Sequence, residues 1–301
     1  MTGALIVGTR RSKLAQIQTE RVLLSLRDAW PDLEIHTEYI TTSGDRVIGP
    51  LRAAGKGAFT GALEDKLIAG QIDIAVHSLK DLPVGPPQGL MLGAILARST
   101  ARDALVSSRG WILEALPTDA VVGTSSVRRM AQLRAWRPGI RITPMRGNVD
   151  TRIRKVQDGE VDAAVLAEAG LDRLHVKKTS YRLIPLEVML PAPGQGALAV
   201  ECRAADTDTL RLLKAIDSAD DRHTTVAERT FLKAMGGGCA APVAAYARKK
   251  GDSLVMDASV MAPDGSATVR VHGQGTCAIE LGKALAQMAR ERGAGELMQD
   301  A

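Results

Sequence analysis

The chain repeats itself, and the repeat limits what it can fold into. Gly70-Gln71-Ile72-Asp73-Ile74-Ala75-Val76 matches Gly159-Glu160-Val161-Asp162-Ala163-Ala164-Val165 in spacing. Leu5-Ile-Val-Gly-Thr9, followed by a helical pattern with Leu14-Ala15-Gln16, is echoed by Ala120-Val-Val-Gly-Thr124 with Met130-Ala131-Gln132. Between them, Glu38-Tyr-Ile-Thr41 and Arg141-Ile-Thr143 each end an apolar run and open a polar loop. Three echoes in one order predict two related domains. Apolar runs alternating with helical patterns predict parallel sheets covered by helices. Loops at the strand C-termini would face a cleft between the two domains.

Pro185, Pro191, Pro193 and Gly194 punctuate the end of the second half. Gln195–Glu201 then reads as a strand that returns to the first domain. Beyond about Asp217 an amphipathic helix stops at Gly236-Gly237-Gly238, as helices often stop at glycine. Three apolar runs and a last helix over 278–292 follow. The predicted class is α/β, two domains with a central cleft plus a small C-terminal α+β domain. The boundaries read as 1–96 with 197–214, then 102–190, then 219–301.

Targeting and redox signals are few. The N-terminal apolar run is short and no charged region precedes it, unlike a secretory leader. No stretch approaches the ~20 apolar residues of a membrane span. A cytoplasmic protein is expected. Cys202, Cys239 and Cys277 lie far apart in sequence, without the close pairs of a zinc site, and their odd number argues against a disulfide framework. No metal is expected.

The net charge is +5. Its placement matters more than its size, because several guanidiniums fall in short loops after apolar runs. Val122-Gly-Thr124-Ser125-Ser126-Val127-Arg128-Arg129 puts three hydroxyls and two guanidiniums at a strand-to-helix turn. Free amides and the helix dipole favour an anion there, and Arg grips a carboxylate with two parallel hydrogen bonds. Ordinary N-capping needs only one of those hydroxyls. Arg146-Gly147-Asn-Val-Asp-Thr-Arg152 adds two guanidiniums around a glycine, and Thr9-Arg10-Arg11-Ser12 offers the same chemistry from the other half. Together they suit a small ligand with several carboxylates. A Walker loop is absent, since Ala54-Gly55-Lys56-Gly57 lacks the earlier Gly and the Ser or Thr.

An apolar strand delivers His77-Ser78-Leu79-Lys80-Asp81 to its C-terminal end, where α/β enzymes keep catalytic groups. Asp81 is the candidate acid–base or cation-stabilising group. A salt bridge or a turn cap is its ordinary alternative. His77 reads as structural. Gly236-Gly-Gly-Cys239-Ala-Ala-Pro242 places a thiol after three glycines, in an uncrowded segment. Its helix C-terminus does not favour a thiolate.

These motifs, in order, carry a resemblance. Thr9-Arg-Arg-Ser-Lys-Leu-Ala15, Lys56-Gly-Ala-Phe59, His77-Ser-Leu-Lys-Asp81, Gly123-Thr-Ser-Ser-Val-Arg-Arg129, Arg146-Gly-Asn-Val-Asp-Thr-Arg152, Pro191-Ala-Pro-Gly-Gln-Gly-Ala197 and Gly237-Gly-Cys239 resemble those of the porphobilinogen deaminases, also called hydroxymethylbilane synthases. The resemblance implies two domains like periplasmic binding proteins and a third that carries a dipyrromethane cofactor on Cys239 through a thioether. It implies head-to-tail condensation of four porphobilinogen molecules with loss of ammonia, and release of hydroxymethylbilane to a downstream enzyme by a monomer. Asp81 would be catalytic. Arg10, Ser12, Lys56, Phe59, Ser78, Lys80, Thr124, Ser125, Ser126, Arg128, Arg129, Arg146, Gly147, Arg152 and Arg173 would bind cofactor and substrate, with Gln195 and Gly196 on the hinge side. The segment Thr42 to Ala58 resembles the family's mobile loop over the active site. An electron-poor pyrrole formed on loss of ammonia would need no activated thiolate to be captured at Cys239. A binding protein for an anionic solute, a phosphate- or Lys-dependent enzyme and a nucleic-acid binder are the competing classes, and none of them needs Cys239.

Overall fold

The computed structural model describes residues 4–42, 60–238 and 241–298. Lys56, Phe59, Cys239 and nearly all of the loop from Thr42 to Ala58 lie outside the described residues. The chain forms two compact units, residues 1–98 with 197–222, and residues 99–196 with 223–301.

In chain order, β1 (Leu5–Arg10), α1 (Lys13–Ala29), β2 (Ile35–Ile40), α2 (Gly61–Ile68), β3 (Ile74–Ser78) and β4 (Leu90–Ile95) come first. Then follow β5 (Asp103–Ser107), β6 (Val121–Gly123), α3 (Val127–Trp136), β7 (Arg141–Thr143), α4 (Val149–Gln157), β8 (Ala163–Ala167), α5 (Glu168–Arg173) and β9 (Tyr181–Leu183). The chain returns to the first unit for β10 (Leu198–Arg203) and α6 (Thr207–Lys214). It finishes with α7 (Ala219–Ala234), β11 (Val243–Lys250), β12 (Ser253–Met261), β13 (Thr268–Gly275) and α8 (Ala278–Glu291).

The first sheet has the order β2-β1-β3-β10-β4, the second β7-β6-β8-β5-β9, and the third β11-β12-β13. This is the predicted class, two α/β sheets and a small C-terminal antiparallel sheet with helices. In each large sheet three parallel strands are joined by an antiparallel fourth, β10 returning from beyond the second half in one and β5 preceding β6 in the other. The central strands are buried on both faces, as helix-covered strands are, and mostly apolar, with His77 on β3, Asp103 on β5 and Glu201 on β10 as buried polar exceptions.

The sheet registers superimpose the halves residue by residue. Gly8 lies opposite Ala75, and Gly123 lies opposite Ala164. Ser78 pairs with Leu198, and Ala167 pairs with Asp103. The sharpest sequence echo has a physical cause. The Ile6 amide donates to Asp73 Oδ2 at 2.9 Å, and the Val121 amide donates to Asp162 Oδ2 at 2.8 Å. The two aspartates cap the same central strand. Gly70 and Gly159, at φ 67 and 76, end the preceding helices with the same pair of reversed hydrogen bonds.

Two other echoes need a shift. The helices are capped by Ser12 and Ser126, so Leu14 corresponds to Arg128 and Gln18 to Gln132, two residues from the sequence match. Glu38 pairs with Gly8 as Thr143 pairs with Gly123, so Thr41 corresponds to Arg146. Caps and strand pairing set the register there, and short motifs of common residue types do not.

Helix α1 shows how local sequence sets an element. Ser12 accepts from the Ala15 amide, and Ala15, Gln18, Thr19, Val22, Leu23 and Leu26 form one buried stripe. The helix stops at Trp30, ahead of Pro31, which disfavours helical backbone in the residue before it. In the second unit the C-terminal sheet packs on α3, with Ala131, Leu190, Ala244 and Met261 in one apolar cluster. No helix among the described residues is long and apolar enough to cross a membrane.

Candidate active site

In the first unit, β1, β2 and β3 are parallel, so their C-terminal ends share one edge of the sheet. That edge gathers Arg10 at the end of β1, Ser12 at the cap of α1, and Ser78, Lys80 and Asp81 after β3. Ser78 Oγ accepts from Gln18 Nε2 at 2.9 Å, which anchors the strand end to α1. Lys80 is half-buried and Asp81 exposed, in a single 3-10 turn over Leu79–Asp81. Asp81 is thus presented to solvent just past the end of β3.

The corresponding edge of the second unit is the C-terminal end of β6, β7 and β8. It brings together Thr124–Arg129, Arg146, Gly147 and Arg152. The three hydroxyls each have work within the fold. Ser126 Oγ accepts from the Arg129 amide, and Thr124 Oγ1 accepts from the Ser126 amide at 3.2 Å. Ser125 Oγ donates to the Met145 carbonyl at 2.8 Å and accepts from the Met145 amide at 2.9 Å, tying the two loops. Arg152 Nε donates to the Gly147 carbonyl at 2.9 Å. Gly147 has φ 104, and a Cβ there would fall 2.7 Å from the Thr151 methyl, so only glycine fits.

Arg128 and Arg129 are buried, and both converge on Asp103, which is fully buried. Arg129 donates to Asp103 Oδ1 from Nε at 3.0 Å and from Nη2 at 2.7 Å. Arg128 Nη1 lies 2.8 Å from Asp103 Oδ2 and donates to the Leu190 carbonyl at 2.6 Å. Gln195 Nε2 donates to Asp103 Oδ1 at 3.0 Å and to the Ala101 carbonyl at 2.7 Å. Arg173 Nη2 donates to the Gly196 carbonyl at 2.6 Å. Burial pushes the Arg128 guanidinium below its ordinary pKa, and Asp103 pulls it back up. Two guanidiniums share one carboxylate, so the cluster keeps a surplus positive charge. Arg128 Nε has no hydrogen-bond partner among the described residues. Buried charge is costly unless it is paired and hydrogen-bonded, and an anion at this edge would give Arg128 Nε its partner.

Sequence reading does not single out Asp103. No local motif marks it, because its partners lie 25 and more residues away. Glu228 is missed for the same reason. It is fully buried on α7 and accepts from the Gly194 amide at 2.7 Å and the Ala247 amide at 2.9 Å. It fixes the residue just before Gln195.

A family profile described as porphobilinogen deaminase, dipyromethane cofactor binding domain, matches residues 5–211, and the C-terminal domain profile of the same family matches residues 223–291. The chain belongs to the porphobilinogen deaminase family. It is 46% identical to the porphobilinogen deaminase of Roseiflexus sp. (strain RS-1) over 302 residues, 99% of each chain. Against the porphobilinogen deaminase of Brevibacillus brevis the figure is 43% over 297 residues, 98% of this chain and 96% of that one. Likeness to solved structures is looser. The effector binding domain of BenM with its effector benzoate gives a TM-score of 0.44 at 14% identity, covering 71% of this chain and 90% of that chain. The substrate binding protein of an amino acid ABC transporter gives 0.39 at 12%, covering 71% and 92%.

Proposed function

We propose that this chain condenses four porphobilinogen molecules head to tail into hydroxymethylbilane, releasing ammonia at each addition, on a dipyrromethane cofactor joined by a thioether to Cys239. The observation that carries the reading is the pair of buried guanidiniums, Arg128 and Arg129, on the single carboxylate of Asp103. Each pyrrole carries an acetate and a propionate, so cofactor and growing product bring several negative charges. The donor set fits such a group, since it has surplus charge and Arg128 Nε lacks a partner among the described residues. When bound, the cofactor supplies an anchored pyrrole end to which each new unit adds.

The chain's own residues would do the rest. Arg128, Arg129, Arg146, Arg152 and Arg173 would hold carboxylates, with Thr124, Ser125, Ser126 and Gly147 shaping the loops around them. Arg10, Ser12, Lys56, Phe59, Ser78 and Lys80 would serve the incoming substrate. Asp81 would face the positive charge that develops as ammonia leaves, and would move the proton between pyrrole carbon and leaving amine. Gln195 and Gly196 would set the posture of the returning chain. Residues 219–301 would form a third domain that carries Cys239. The enzyme would act as a cytoplasmic monomer and pass its product to a downstream enzyme.

Intact-protein mass spectrometry tests this directly. Purified from a haem-making host, the chain should carry extra mass equal to two linked pyrroles, and peptide mapping should place it on the fragment containing Cys239. A folded chain with an unmodified Cys239 refutes the cofactor assignment.

A further inference from the structure

The first unit holds a buried polar cluster that its fold does not require. Glu64 on α2, His77 on β3 and Glu201 on β10 face one another beneath the strand end that carries Asp81, and Thr60 stands at the start of α2. All four residues are buried, Glu201 at 1% exposure. His77 Nε2 lies 3.4 Å from Glu201 Oε2, too long for a good direct hydrogen bond. Glu64 Oε1, His77 Nε2 and Glu201 Oε2 have no hydrogen-bond partner among the described residues. Burial raises the pKa of Glu64 above the usual carboxylate range, the Thr60 hydroxyl opposes that, and the neighbouring Glu201 adds to it. The other charged groups nearby are committed elsewhere, Lys66 to Glu38 and Arg203 to Asp73 and Asp206, while Asp65 adds a small like-charge effect on Glu64.

The second unit shows what this place looks like without such a role. The paired registers and the matched helix ends put Ile153 where Glu64 stands, Leu166 where His77 stands, Val106 where Glu201 stands and Val149 where Thr60 stands. Those four join one apolar cluster. The same fold is therefore closed by hydrocarbon in one half and by unsatisfied polar groups in the other. Unsatisfied buried polar groups are destabilising, so their presence calls for a reason beyond packing. The half that has them is the half that carries Asp81. The second unit has Gly170 at the place of Asp81.

We propose that Thr60, Glu64, His77 and Glu201 enclose a buried water and act as positioning residues, fixing the end of β3 so that Asp81 stands in its working geometry. A water with two to four polar partners is the usual occupant of a buried polar space. The inference rests on the proposed function, because it takes Asp81 as the catalytic group.

The test transplants the second unit's solution into the first. The variant Thr60→Val, Glu64→Ile, His77→Leu, Glu201→Val is compared with the wild-type holoenzyme by urea unfolding and by ammonia release from porphobilinogen. It should be at least as stable as wild type, since apolar residues often replace buried ionic groups without loss. Its kcat should fall by about tenfold or more while KM stays within about twofold, the signature of a misplaced catalytic group. An unchanged kcat overturns the positioning role. If the transplant does not fold, His77→Gln and His77→Leu decide the matter. Gln should restore most of the kcat that Leu loses, and equal kcat values overturn the proposal. A high-resolution crystal structure should show water between Glu64 Oε1, His77 Nε2 and Glu201 Oε2, and a dry site overturns the hydrated form. Wild-type chain that releases no ammonia would instead sink the functional reading itself.

Discussion

Asp103 is the place where a single substitution should cost this protein most. Asp103→Ala removes the acceptor of two hydrogen bonds from Arg129 and one from Gln195, at 2.7 to 3.0 Å, and the ion-pair partner of Arg128. Each hydrogen bond to a charged group is worth ~1.5–3 kcal/mol, but three donors on one oxygen do not add. The better measure is the ~3–5 kcal/mol lost when one partner of a buried pair is deleted. That is roughly two to four powers of ten in the unfolding constant, against a total stability of ~5–15 kcal/mol. Trp111 and Trp136 sit in the second unit and Trp30 in the first. Urea unfolding followed by tryptophan fluorescence in a Trp30→Phe background therefore reads the second unit by itself.

The internal repeat supplies the control. The first unit has Leu198, Leu14 and Ala15 at the places of Asp103, Arg128 and Arg129. The triple variant Asp103→Leu, Arg128→Leu, Arg129→Ala should recover to within about 1 kcal/mol of wild type. By intact mass it should carry no dipyrromethane. Asp103→Ala within about 1 kcal/mol of wild type would refute the reasoning. A triple variant as unstable as the single one would refute it too, because then the damage would not come from stranded charge.

Further outcomes are expected. Asp81→Ala should keep its urea midpoint, because the side chain is exposed, and should lose ammonia release by about a hundredfold or more; near-normal release would remove Asp81 from the mechanism. Gly196 has φ 92, and a Cβ would fall 2.4 Å from the Thr100 carbonyl oxygen, so Gly196→Ala should cost ~1–3 kcal/mol. Gly61→Ala, at the first residue of α2 with nothing among the described residues within 4 Å of the added Cβ, should stabilise by ~0.4–1 kcal/mol through the unfolded chain, and urea midpoints check both signs. Burial pushes the Cys202 thiol up to about 11. The folded chain keeps that proton where the unfolded chain, with an ordinary value near 9, has lost it. Rising pH through that window should therefore lower stability. At neutral pH a thiol reagent should modify exposed Cys277 and spare buried Cys202 until urea is added.

The sequence by itself determined the elements that depend on neighbours in the chain. Spacing alone matched Gly70–Val76 to Gly159–Val165, because a helix stop, a strand cap and a buried strand each need a particular residue within a few positions. The same locality made the Arg-rich loops legible as anion chemistry, whereas the capping roles of Ser12 and Ser126 within those loops came from the structure. Tertiary structure decided what those loops do in the fold. The caps moved the helix echo by two residues, and pairing across strands moved the Thr41 echo by three, since strand register is set by hydrogen bonds between segments that are distant in sequence. It also gave Ser125 to Met145, and it placed Asp103 beneath Arg128 and Arg129. Its largest decision was which of two equivalent sites should be charged. Ile153, Leu166 and Val106 on one side, and Glu64, His77 and Glu201 on the other, are scattered along the chain. They become comparable only once both sheets are formed, because a buried group's cost and purpose depend on what surrounds it.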